Sequence, residues 1–83
     1  MGFFSKLFGK GGNMKKYEDI YLQGRYTFKQ STEYAFKQAV DTGVKDGFWS
    51  SAAEGAEALY QAVLSKTEQE DKADLEKAKN RIK

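Results

Sequence analysis

The sequence predicts an all-α fold: a small helical bundle of three to four helices with an apolar N-terminal extension. Three observations predict it. Proline is absent, so no residue locks φ or deletes a backbone donor inside a helix. Apolar residues return at helical spacing in several separate stretches, which gathers them on one side of each helix. Ser or Thr stands three residues before Glu at Ser51–Glu54 and Thr67–Glu70, the spacing of a reciprocal cap at a helix start.

Taken in order, the first segment is residues 2–8. Phe3, Phe4, Leu7 and Phe8 would gather on one side of a short amphipathic helix. Gly9, Lys10, Gly11 and Gly12 read as a flexible linker, so residues 1–12 form an extension. Asn13 is the expected N-cap of the next helix, with Glu18 and Asp19 in or near its early turns, where acids suit the helix dipole. Tyr17, Ile20, Tyr21, Gly24 and Phe28 then make a helical stripe. The stretch from Ile20 to Phe28 is also aromatic and branched around a Gly, so a β-hairpin over residues 17–30 is the alternative. Helix is preferred because the helical spacing holds from Tyr17 to Phe28.

Ser31 or Thr32 should cap a further helix in which Ala35, Phe36, Ala39, Val40 and Gly43 share the buried face, with Gly43 as its stop. Ser51 and Glu54 start the next helix, whose apolar side is Trp49, Ala52, Ala56, Leu59, Tyr60 and Val63. Ala52, Gly55, Ala56 and Ala62 are small and would let another helix approach closely. The Thr67–Glu70 box should open a last helix near Lys66, acidic early and basic late, as the dipole prefers. Only Leu75, Ala78 and Ile82 give it a thin apolar stripe, so it is expected to be mostly solvated. The organisation expected is therefore a core domain over residues 13–66 and a charged C-terminal helix over residues 67–83.

Leu22-x-Gly24-x-Tyr26 and Ala35-x-x-x-Ala39 followed by Gly43 space small and aromatic residues in a way that resembles helical-hairpin repeats of the tetratricopeptide and Sel1 kind. The resemblance covers under half the chain and occurs once. It implies an antiparallel helix pair and no function.

Composition removes most chemistry. With 83 residues the chain forms one domain and buries only about 60% of its unfolded surface, too little for a deep cleft between lobes. Neither Cys nor His is present, which removes thiolate and imidazole metal ligands, thiol catalysis and the side chain that titrates near neutrality. Glu54 and Glu57 lie on a polar helix face, Ser50 and Ser51 lack a His to activate them, and no phosphate-binding glycine motif occurs. The carboxylates of Glu68, Glu70, Asp71 and Asp74 do not follow a calcium-loop order. The expectation is a non-enzyme with no catalytic residue, metal or cofactor.

Charge and apolar display leave binding as the expected function. The net charge is +2, from 14 basic and 12 acidic residues, which disfavours nucleic acid as a partner. Leu22, Arg25, Tyr26 and Lys29 fall on the side of the second helix opposite its stripe, and Tyr and Arg dominate protein interfaces. They are the expected partner-binding residues of a small adaptor or inhibitor, with another protein as partner; a homo-oligomer is also open. Phe3, Phe4, Leu7 and Phe8, near Lys6 and Lys10, are the expected membrane or partner docking residues. An anionic membrane surface is the alternative partner. The expected location is cytoplasmic or at the inner face of a membrane.

Overall fold

The computed structural model describes residues 10–82, with side chains from Met14 onward. Among the described residues it contains four α-helices and no strand: α1 (Lys10–Tyr26), α2 (Thr32–Lys45), α3 (Ala52–Val63) and α4 (Lys72–Arg81). Short 3-10 turns at Leu64–Lys66 and Gln69–Asp71 lead from α3 into α4. The all-α bundle expected from the sequence is what is found, and residues 17–30 form helix and turn, not a hairpin.

Helix α2 is the centre of the bundle and packs against each of the other three. Its start is fixed by Ser31, whose Oγ accepts the Tyr34 N–H at 3.1 Å. Ala35, Phe36, Ala39 and Val40 are fully buried on the expected face. Helix α3 starts at the predicted cap: Ser51 Oγ accepts the Glu54 N–H, while the Glu54 carboxylate reaches back to the Ser50 N–H. Leu59 and Val63 fill the core beside α2. Burying a side chain of this size contributes about 1.5–3 kcal/mol.

Three expectations are corrected. Helix α1 starts at Lys10, so Lys10, Gly11 and Gly12 belong to the helix and Asn13 lies within it rather than capping it. Helix α2 runs two residues past Gly43 to Lys45, and the turn falls at Gly47, whose φ of +82° suits glycine. The Thr67–Glu70 cap does not form. Thr67 is buried with its hydroxyl donating to the Val63 carbonyl at 2.8 Å, and α4 begins only at Lys72. The C-terminal helix is mostly exposed, as expected, and its thin stripe makes the contact: Leu75 and Ala78 join the core, and Ile82 packs against it.

Gly43 has a different task from stopping a helix. Its carbonyl accepts the N–H groups of both Phe48 and Trp49, which folds the α2–α3 connection back over the bundle. The Trp49 indole then lies between Gly43 of α2 and Gly55 of α3, and a Cβ at either glycine would run into the ring. Tyr17 of α1 and Phe48 complete an aromatic group around it, with ring centroids 5.1 to 5.2 Å apart. At the other end of the α1–α2 pair, Gly24 lies against Gln30 and Ala35, so these two helices pack as a close hairpin, as the resemblance to helical-hairpin repeats implies.

Candidate functional site

The structure spends the polar groups of two predicted partner-binding residues inside the chain. The Arg25 guanidinium meets Asp71 at 2.8 Å and donates to the Gln30 carbonyl at 2.7 Å. The Tyr26 hydroxyl donates to Asp71 Oδ2 at 2.7 Å and accepts the Glu68 N–H at 3.1 Å. Side-chain exposures of 18% and 11% for Arg25 and Asp71 mark this as a largely desolvated pair, where charge-assisted hydrogen bonds are strong. The Tyr26 hydroxyl and the Arg25 charge hold the Asp71 carboxyl below the usual aspartate range. Burial pushes Tyr26 up to about 12, and the facing carboxylate adds to the shift. Tyr21 reaches the same region with a fully buried hydroxyl, raised chiefly by burial.

A second carboxylate plays the same part at the middle of α1. Tyr17 donates to Asp46 at 2.7 Å, and Lys16 reaches the same oxygen at 3.1 Å. Burial first, then Asp46, pushes Tyr17 up to about 12. Tyr17 and Tyr26 thus fasten the middle and the C-terminal end of α1 to the α2–α3 connection and to the approach to α4.

The remaining predicted residues separate. Leu22 is half-buried against the core. Lys29 is exposed, in the turn after α1, with a positive φ of 59°. Phe3, Phe4, Leu7 and Phe8 lie outside the described residues.

The exposed apolar surface lies elsewhere, and the sequence reading missed it. Phe28 is 65% exposed and Tyr34 is 58% exposed. Phe28 falls off the α1 stripe because α1 ends at Tyr26. The N–H groups of Thr27 and Phe28 both turn back to the Gln23 carbonyl, and the Gln30 N–H bonds to Gly24. Beside it is a shallow depression of about 200 Å³ lined by Ile20, Gln23, Gly24, Phe28, Gln30 and Gln38. A second depression, of about 310 Å³ and open to solvent, adjoins it through Gln38 and runs along α2 past Tyr34, Lys37 and Asp41. The available clue in the sequence was the proximity of Phe28 to the Ser31 cap, which leaves no room for α1 to carry it onto the buried face.

Chemistry elsewhere is engaged in structure. Glu54 is taken up by the α3 cap, and Glu57 accepts from Gln61 and Lys79. Among the described residues no group of three or more carboxylates is placed to hold a metal ion, and no helix is long and apolar enough to cross a membrane. Compared with protein-family models, curated proteins and solved structures, the chain matches none.

Proposed function

We propose that the chain is a non-catalytic protein-binding module, an adaptor or inhibitor that acts by covering a surface on another protein. The observation that carries this reading is Phe28: a large aromatic ring, mostly exposed, beside an uncharged depression and next to a non-glycine residue at positive φ. Such backbone costs on the order of 1 kcal/mol and is found clustered at functional sites. Aromatic residues, Phe among them, are enriched at protein interfaces relative to the rest of the surface.

The test is capture from the native cell with wild-type and Phe28→Ala baits, followed by affinity measurement on any protein retained. Loss of a Phe anchor should cost about 2 kcal/mol or more in binding, roughly a thirtyfold change in Kd or larger, with the melting temperature unchanged. Equal capture by both baits would remove Phe28 from the interface. The peripheral-membrane alternative rests on Phe3, Phe4, Leu7 and Phe8 beside Lys6. It requires that the full chain float with anionic vesicles and that removal of residues 1–9 abolish flotation.

A further inference from the structure

We propose that the chain self-associates through the exposed face of α2, which binds the same face of a second copy in antiparallel orientation. The argument is charge complementarity. Glu33, Lys37, Asp41 and Lys45 stand four residues apart along α2, and all are exposed. Their signs read minus, plus, minus, plus. Turned end for end, this row meets itself with every charge reversed: Glu33 faces Lys45 of the second copy, and Lys37 faces Asp41 of the second copy. A twofold interface requires such self-complementarity, because each patch binds its own copy. The same operation sets the exposed Tyr34 opposite Val44, which is half-buried against the chain's own core at the flank of this face.

The geometry of helix packing agrees. Residues four apart form a ridge inclined about 26° to the helix axis, and two such ridges lie side by side when the axes cross at about 50°, the commonest packing class. Within one chain Lys37 already holds Asp41 at 2.9 Å, and Arg81 holds Glu33 at 2.7 Å. Lys45 has no ion pair among the described residues. Association would place Lys37 between the Asp41 carboxylates of both copies and give Lys45 a carboxylate. The contact runs roughly 18 Å along one helix about 10 Å wide, well under the ~800 Å² per partner of a stable interface. The dimer is therefore weak and salt-sensitive. This self-association does not depend on Phe28.

Sedimentation equilibrium of the intact chain at ~0.1–1 mM tests it, at low and at high salt. Wild type should show a concentration-dependent rise in mass that falls several-fold in affinity at high salt. Lys37→Asp alone sets Asp against Asp41 across the twofold, and Asp41→Lys alone sets Lys against Lys37, so each variant should weaken self-association at least ~10-fold. An equimolar mixture of the two restores both pairs and should recover association to within a few-fold of wild type. Tyr34→Ala should weaken it without changing its salt dependence. Phe28→Ala should leave it unchanged, which separates this proposal from the capture experiment above. A wild type that stays monomeric at 1 mM and low salt, unimpaired association of Lys37→Asp, or a mixture of folded variants that remains monomeric would each overturn the proposal. Circular dichroism of each variant establishes that it is folded.

Discussion

Tyr26 donates its hydroxyl proton to Asp71 at 2.7 Å across 45 positions of sequence, and it accepts the Glu68 N–H with the same oxygen. One phenol therefore closes the gap between the last turn of α1 and the connection that delivers α4. Tyr26→Phe keeps the ring but leaves Asp71 with one partner fewer and the Glu68 N–H without its acceptor. The expected loss is about 1–3 kcal/mol, read as a lower urea midpoint at unchanged slope. An unchanged midpoint would mean that solvent replaces the hydroxyl at no cost.

Stability should fall on the alkaline side in a defined window. Tyr17 and Tyr26 are raised from 10.0 to about 12 in the folded chain. Above pH 10 the unfolded chain loses these protons first, so it binds fewer protons than the native state and stability declines with rising pH. The contribution is complete below pH 10 and lost as pH passes about 12. Asp71 is lowered when folded, so its contribution is present above the ordinary aspartate value near 4 and disappears as pH falls below that value. Melting temperature against pH should show both flanks, and Tyr26→Phe should flatten the alkaline one.

Gly43→Ala and Gly55→Ala set two effects against each other. Alanine favours a helix by roughly 0.5–1 kcal/mol over glycine, but the new Cβ at Gly55 would sit 2.5 Å from the Trp49 ring, and at Gly43 it would overlap the same ring. Overpacking of this kind costs about 1–3 kcal/mol, so both variants should be less stable. A gain in stability at either position would show that the indole moves aside freely.

Leu75→Ala and Leu59→Ala should each cost about 2–5 kcal/mol, since both side chains are fully buried. Equal penalties would place α4 in the same cooperative unit as α3. A near-zero penalty at Leu75 alone, read by denaturant unfolding, would show α4 to be dispensable.

The parts of the fold that could be read from the sequence are those set by neighbours in sequence. Ser31 and Ser51 cap residues three positions on, and the buried faces of α2 and α3 follow from spacing within one helix. The parts that could not be read depend on partners far away. Gly43 looked like a stop because nothing local shows that Trp49 must lie against it. Thr67 looked like a cap because the inward turn of its hydroxyl is set by the bend after α3. Arg25 and Tyr26 looked like an outward patch because Asp71, the group that claims them, sits in a segment whose acids read equally well as a helix start. Phe28 was assigned to the core by a periodicity that continues on paper for two residues after the helix has ended.

Trp49 is the only tryptophan in the chain, and its indole is buried in the slot between two glycines. Its fluorescence therefore has a single origin at the junction of α2 and α3, against Tyr17 of α1. Native emission should lie to the blue of free indole and shift to the red when the slot opens. Every variant proposed above can thus be followed by intrinsic emission without a label, and a red shift that precedes the loss of helical signal would reveal the slot opening before the helices melt.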